Sequence, residues 1–556
     1  MPSRTQKRIV IVGGVAGGMS AATRLRRLDE KALITVFEKG PYPSFANCGI
    51  PYALSDAIPD RNSLLLQTPE GFKKRFNVDV LVNHEVTSID RAAHAVTVLG
   101  PNNETKTVTY DKLILAQGAA PLTPPIPGVD LPHVFHLTTI GDLDAAKAYI
   151  AGHKAKTAAV IGGGFIGLEA AENLKLAGLD VTLVELAPHV LPPLDADMAE
   201  PVHAELRRNG ISLALGDGVA SISPDAVTTA SGRVVPADVV LLVLGVRPRT
   251  ELARAAGLPI GKAGGVVVDV HMRTDDPDIY AVGDMVETEH RVLGLPRVTA
   301  LAGPANRQGR MAADHICGRA VGYRGNVGSA VVKVFEMTVG VVGLSVRELR
   351  RMGLDPLWVS AHPPDHAGYY PGAHPVSLKV AFRRGDGRLL GAQVIGAAGV
   401  DKRVDVLATA MQAHMSIFDL EHLELAYAPP YGSAKDPVNM AGFIGGNVLR
   451  GDVRVVHADE MTAEDLEGMQ VVDVRGPGEL AKGFLKGAVN IPINTLRENL
   501  DRLDKEKKTL VYCQVGYRGY LAYRILEQSG FKDVVNLDGG FKTVAQSGLT
   551  TLQASK

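Results

Sequence analysis

The chain has 556 residues, 46% of them apolar, with 60 glycines, three cysteines and a formal net charge of -1. That length exceeds one hydrophobic core and predicts about three or four domains, and the glycine content fits an α/β protein with many tight strand-to-helix turns. The near-neutral charge offers no basic field to nucleic acid or anionic membrane, and no apolar run approaches the roughly 20 residues of a membrane helix. Three cysteines form no disulfide framework and suit a reducing compartment, the cytoplasm.

Residues 1–7 are polar and basic and lead into the apolar run 9–12, which is too short for a signal-peptide core and reads as a strand. Gly13, Gly14, Val15, Ala16, Gly17 and Gly18 follow, then a helical run over 19–28 and a strand over 34–37 ending at Glu38. Strand, glycine turn, helix, strand and acid in that order describe a nucleotide-binding βαβ unit. The glycines let backbone N–H groups approach a pyrophosphate at the helix N-terminus, and Glu38 accepts from a ribose. Val15 stands where the common pattern has its middle glycine. Next comes Ser44-Phe45-Ala46-Asn47-Cys48-Gly49-Ile50-Pro51-Tyr52. A redox cysteine works as a thiolate and needs a lowered pKa. A helix starting just after Cys48 is expected to help, through its N-terminal N–H groups.

Residues 110–119 read as a strand ending in a small-residue turn. A second βαβ unit follows: strand 158–161, Gly162-Gly163-Gly164-Phe165-Ile166-Gly167, helix 168–177, and strand 181–184 ending at Glu185. Its G-x-G-x-x-G is complete. Glu185 would repel a 2′-phosphate, and residues 186–188 hold no arginine to bind one, so NADH is expected over NADPH. Residues 278–284 read as a further strand ending in Asp284.

These motifs resemble the pyridine nucleotide–disulfide oxidoreductases. The Ser44 to Cys48 segment with Pro51 and Tyr52 is similar to the coenzyme A–disulfide reductase and NADH-dependent persulfide reductase branch. Relatives with an internal dithiol carry a second cysteine nearby, which this chain lacks. The resemblance implies FAD on the first unit and NADH on the second. It implies cofactor contacts at Gly13, Val15, Ala16, Gly17, Gly18, Glu38, Lys39, Gly118, Gly283 and Asp284, and at Gly162, Gly164, Phe165, Ile166, Gly167, Glu185, Gly245 and Tyr427. It implies coenzyme A, counted with the cofactors, at Ser20, Arg24, Arg27, Ser44, Asn47, Asn306 and Lys435. Arg24 and Arg27 are three apart and share a helical face, from which they could meet phosphates. Family members place a lysine near residue 76, where this chain has Phe76 after Lys73, Lys74 and Arg75.

Residues 331–335, 339–343 and 377–382 are β-like, and 401–414 read as a helix. This stretch resembles the family's homodimer interface, where Tyr369 and Tyr427 reach the partner's flavin and cysteine. A phenol there could protonate a leaving thiolate. Cys317 ends a helical run over 308–316 and reads as structural. A linker around 450–452 precedes strands at 471–475, 487–492 and 509–512. Cys513-Gln514-Val515-Gly516-Tyr517-Arg518 follows, then a helix over 519–529. A cysteine between strand and helix sits in a cradle of backbone N–H groups, and Arg518 adds positive charge. The order resembles a single-domain rhodanese.

The expected fold class is α/β. An FAD-binding domain spans 1–115 plus 246–325 and an NADH-binding domain 116–245, both Rossmann-like. An α+β dimerisation domain spans 326–445, a linker 446–456 and an α/β rhodanese domain 457–556. The expected catalytic residues are Cys48, Cys513, Tyr369, Tyr427 and Arg518, with no metal. The expected activity is NADH-dependent reduction of coenzyme A persulfide or polysulfide through a Cys48–coenzyme A mixed disulfide. Three alternatives stay open. One is coenzyme A disulfide reduction with an accessory rhodanese, and another is NADH oxidase or peroxidase chemistry through a Cys48 sulfenic acid. The third makes the last domain a docking module for sulfur relay.

Overall fold

The structure is a computed structural model that describes residues 6–547 and the backbone of 552–553. Residues 1–5 of the basic segment, and the rest of the last domain's range, lie outside the described residues. The chain divides into two compact units, Met1–Leu186 with Gly210–Asn326, and Ala187–Asn209 with Val327–Lys556.

In the first unit, a parallel five-stranded sheet runs in the order Ile279–Ala281, Lys112–Leu115, Arg8–Val12, Leu33–Glu38, Asp79–Val82. Arg8–Val12 is central and apolar on both faces, as a strand covered on both sides must be. Ile9 and Ile11 face one core with Leu25 of the helix Ala16–Leu28, and Val10 and Val12 face the other. A second parallel sheet repeats the plan around Thr157–Ile161, followed by the helix Phe165–Leu176 and the strand Asp180–Glu185. In both βαβ motifs the third glycine is fixed by close packing: a Cβ on Gly18 would lie 1.9 Å from the Gly13 carbonyl oxygen, and one on Gly167 1.9 Å from that of Gly162. The middle position is permissive, since a Cβ on Gly164 meets nothing within 4 Å. That is why Val15 can stand there in the first loop.

In the second unit, an antiparallel sheet is ordered Ala330–Val334, Met337–Gly343, Leu389–Gly396, Ser377–Arg383, Pro356–Ala361. The helix Val400–Gln412 covers it. A parallel sheet follows, ordered Val455–Val456, Val534–Leu537, Thr509–Tyr512, Gln470–Asp473, Val489–Asn490. The architecture is mixed α/β, with two parallel sheets built on βαβ motifs, an α+β lobe and a small parallel α/β lobe.

Two boundaries differ from the sequence expectation. Residues 187–209, placed with the NADH domain, group with the second unit. There the ammonium of Lys379, 1% exposed, donates to Asp197 Oδ1 at 2.9 Å, and Asp195 and Gln393 exchange hydrogen bonds of 2.7 and 2.6 Å. The linker of 446–456 is mostly ordered secondary structure. The helix Pro437–Arg450 runs through its first part and stops at Gly451 in the left-handed conformation, while Val455–Val456 already pairs with Val534–Leu537.

Candidate active site

The first glycine loop leaves the C-terminal end of the central strand Arg8–Val12, where open α/β sheets bind ligands. Glu38, at the end of the neighbouring strand, accepts from Gly14 N and Gly40 N, both at 2.7 Å. Glu185 accepts from Gly163 N at 2.6 Å in the second loop. Each acid thus stands beside its own loop, as the spacing required. Phe165 and Ile166 open the second helix, and Ile166 is exposed. Gly118 and Gly245 flank an antiparallel ribbon of Ala119–Pro121 and Val246–Pro248. Gly283 N donates to Gln308 at 2.7 Å, and burial pushes the Asp284 carboxyl up to about 6. Lys39, just after the strand, pairs with Glu85 at 2.9 Å on the surface.

A flavin fits this loop. The oxygen Oε1 of Gln117, after the strand Lys112–Leu115, is buried and has no hydrogen-bonding partner. Glycine at 13, 14, 17 and 18 leaves the loop backbone bare where a pyrophosphate would approach.

Cys48 opens on a cavity of about 440 Å3 whose lining includes Ser20, Ser44, Asn47 and Asn306, with Leu66, Phe72 and Phe76 as an apolar wall. Ser20 donates to Asn306 at 2.5 Å. Phe76, near which the resemblance led to the expectation of a lysine, is part of that wall. Arg24 and Arg27 are not in the lining. Arg24 is bound to Asp314 at 2.7 Å with its side chain 12% exposed, so its charge is already neutralised, while Arg27 is exposed.

The environment of Cys48 corrects one expectation. No α-helix starts behind it. The cysteine lies inside a three-residue 3-10 turn, Asn47–Gly49, followed by another, Pro51–Ala53, and such short turns sum few peptide dipoles. Although the side chain opens on the cavity, partial burial raises the thiol pKa most, followed by the charges of Glu169 and Asp284. Glu169 was missed from the sequence. It sits in the first turns of the helix Phe165–Leu176, far from Cys48 in the chain, and accepts from Tyr52 Oη at 2.8 Å. Burial raises the Glu169 carboxyl too.

In the second unit, Tyr369 and Tyr427 meet hydroxyl to hydroxyl at 2.9 Å, and both are exposed. The contact with Tyr427 raises the Tyr369 phenol pKa. Lys435 is exposed. Their two loops are knotted by Arg403, 1% exposed, which donates to the Asp365 carbonyl at 2.6 Å and to Asp436 at 2.7 Å. Cys317 belongs to the first unit, packed against its apolar core.

Cys513 follows the central strand Thr509–Tyr512 and is fully buried. Its loop turns at Gly516 into the helix Tyr517–Gln528. Arg518 lies close enough to Cys513 for the two to act on each other electrostatically, and it is gripped by Glu479 through two bonds of 2.7 Å. Its charge is therefore shared between Glu479 and the cysteine. That grip holds the Glu479 carboxyl down at about 2. The strand end at Asp473 hides a second device: the fully buried Arg475 pairs with Asp473 at 2.7 Å and reaches Gln514 of the loop at 3.2 Å.

Residues 7–309 match the family model of pyridine nucleotide-disulphide oxidoreductases, 329–436 match that family's dimerisation domain, and 458–547 match the rhodanese-like domain. The coenzyme A disulfide reductase of Staphylococcus haemolyticus is 37% identical over 439 residues, covering 79% of this chain and 99% of that protein. The structure of reduced Bacillus anthracis CoADR-RHD is 44% identical, with a TM-score of 0.96 over 98% of this chain and 99% of that one. An NAD-dependent persulfide reductase from A. fulgidus is 37% identical, with a TM-score of 0.91 over 96% and 99%. In the Staphylococcus protein's name coenzyme A is part of the disulfide acted on, so it counts as substrate and not as cofactor. No helix among the described residues is long and apolar enough to cross a membrane. The chain is therefore a member of the pyridine nucleotide-disulphide oxidoreductase family, an oxidoreductase with the FAD and NAD(H) dependence that membership implies, extended by a rhodanese-like domain.

Proposed function

We propose that the protein is an NADH-dependent reductase of coenzyme A persulfide, acting through Cys48 and supplied with sulfane sulfur by Cys513. The observation that carries this reading is the state of the three cysteines. All are free; Cys48 opens alone on a cavity with a polar end and an apolar wall, and Cys513 sits at the start of a loop with the Arg518 charge beside it. A single exposed thiol on such a cavity is suited to exchange with a small-molecule thiol or persulfide.

The Cys513 thiolate takes the outer sulfur of a polysulfide, leaving the donor one sulfur shorter as a thiolate. Coenzyme A thiolate removes that sulfur, restoring Cys513 and forming coenzyme A persulfide. The Cys48 thiolate then attacks the sulfur bonded to coenzyme A. Hydrosulfide leaves, and a Cys48–coenzyme A disulfide remains. Two electrons from NADH, with a proton, return this disulfide to the Cys48 thiolate and free coenzyme A thiol. FAD, when bound, supplies the two-electron relay; Gly13, Gly17, Gly18, Glu38, Gly283 and Asp284 are the residues that would hold it. Gly162, Gly164, Gly167 and Glu185 would hold NADH. Ser20, Ser44, Asn47 and Asn306 would orient coenzyme A, and the exposed Arg27 is free to meet its phosphates. Tyr427, paired with Tyr369, is the proton donor to the leaving thiolate in a homodimer. The free thiols suit the cytoplasm.

The test is anaerobic NADH oxidation with polysulfide plus coenzyme A. Wild type is expected to release sulfide and Cys48→Ser none, whereas Cys513→Ser keeps activity on preformed coenzyme A persulfide. Sulfide release surviving Cys48→Ser would overturn the reading. Plain coenzyme A disulfide reduction is the second reading, favoured by the Staphylococcus relative.

A further inference from the structure

The segment after the strand Val534–Leu537 touches two things at once. On one side it carries the Cys513 loop: Phe541 N donates to the Cys513 carbonyl at 2.8 Å, and Lys542 N to the Gln514 carbonyl at 3.0 Å. On the other side it is pinned to the antiparallel sheet. The Asp538 carboxylate, 3% exposed, accepts from Ser360 N at 2.8 and 3.1 Å. Thr543 Oγ1 meets His362 Nε2 at 2.9 Å, and His362 Nδ1 meets Ser377 Oγ at 2.9 Å. His457, 3.3 Å from Asp538, stacks on Trp358 at 3.9 Å.

Between the two sides stand Gly539 and Gly540, both at positive φ, +65° and +66°. A Cβ on Gly539 would lie 1.9 Å from Thr543 Oγ1 and 3.1 Å from both His362 and Ser360. A Cβ on Gly540 would lie 2.5 Å from the Cys513 carbonyl oxygen and 2.8 Å from Gly516 N. Two successive residues in a region that L side chains rarely adopt require glycine, and so leave a backbone strap with no side-chain packing of its own. Such a strap takes its conformation from the groups that grip its ends.

We infer that the edge strand Pro356–Ala361 sets the conformation of the sulfur-handling loop, with Asp538 and His362 as positioning residues for sulfur transfer at Cys513. The Cys513 carbonyl bonded to Phe541 N fixes the peptide that begins the loop, and thereby the direction of the loop N–H groups that must face the anionic sulfur. Ser360 N and His362 hold the strap that supplies Phe541 N. The family's sheet thus acts on the chemistry of the appended domain as well as carrying it. This inference rests on the reading of Cys513 as a sulfur carrier.

The test uses full-length holoenzyme with thiosulfate as donor and cyanide as acceptor. The Cys513 thiolate takes the outer sulfur of thiosulfate and releases sulfite. Cyanide then removes that sulfur as thiocyanate and restores the thiolate. Asp538→Ala is expected to lower kcat about tenfold, the effect of one buried hydrogen bond to a charged group, with the thiosulfate KM within about twofold. Asp538→Asn, which keeps an acceptor for Ser360 N, is expected to recover most of the loss. NADH-dependent reduction of coenzyme A disulfide serves as the folding control and stays at the wild-type rate. Should Asp538→Ala lose that control activity as well, His362→Gln decides on the same two readings. Wild-type kcat in the variant that keeps the control activity overturns the inference alone. Equal transfer by wild type and Cys513→Ser overturns the sulfur-carrier reading and the inference together.

Discussion

Tyr52 donates its hydroxyl to Glu169 at 2.8 Å, tying the Cys48 turn to the helix that follows the second glycine loop. The pair puts a negative charge near the thiol, and that charge, after partial burial and together with Asp284, raises the thiol pKa. A raised thiol pKa means less thiolate at neutral pH, so alkylation should climb as pH rises into the alkaline range. Removing the charge moves that climb to lower pH. In reduced protein freed of coenzyme A, Glu169→Gln should therefore speed iodoacetamide labelling of Cys48 at pH 7.5 by about threefold. An unchanged or slower rate would contradict the assignment.

Arg403 is a buried ion-pair partner of Asp436 that also holds the Asp365 carbonyl. Asp436 in turn caps the helix Pro437–Arg450. Leaving a buried carboxylate without its partner costs about 3–5 kcal/mol. Arg403→Met should lower the denaturant midpoint of the second unit accordingly, and Asp436→Leu added to it should recover part of the loss. A midpoint equal to wild type would show that the knot contributes nothing.

The Tyr369–Tyr427 contact of 2.9 Å lets one phenol orient the other. With Tyr427 as the proton donor, Tyr427→Phe should lower kcat for coenzyme A persulfide by about 10²-fold, while the KM for NADH stays within twofold. Tyr369→Phe should cost less, because it removes the orienting group and keeps the donor. The reverse ranking would exchange their roles.

Arg518 serves both Cys513 and Glu479. Losing a hydrogen bond to a charged sulfur costs about ten- to a hundredfold. Arg518→Met should slow thiosulfate-to-cyanide transfer by that much, and Glu479→Gln, which leaves the guanidinium free for sulfur, should not slow it. Slower transfer in Glu479→Gln would mean that Glu479 is needed to aim Arg518.

Much of this fold was legible because its signals are local. The run of glycines after 9–12 and the acid at Glu38 lie within one βαβ unit, and backbone geometry fixes their spacing. Cys513 between strand and helix is equally local. What escaped was long-range. Glu169 lies 117 residues from Tyr52, Asp314 meets Arg24 across 290, and Asp538 meets Ser360 across 178. No periodicity connects such pairs. Arg24 also shows how a helical face can mislead: a basic face is equally suited to a phosphate or to a buried aspartate, and only packing decides. The helix expected after Cys48 gave way to 3-10 turns, with Pro51 opening the second because its missing N–H and fixed φ suit a first helical position.

The measurement that bears most directly on the central claim is the ratio of kcat/KM for coenzyme A persulfide and coenzyme A disulfide, taken anaerobically with NADH, with sulfide counted against NADH consumed. The account predicts the persulfide to be at least about tenfold the better substrate, a preference of about 1.4 kcal/mol in the transition state. One sulfide should appear per NADH, and Cys48→Ser should do neither reaction. A higher value for the disulfide, or NADH consumed without sulfide, would contradict it.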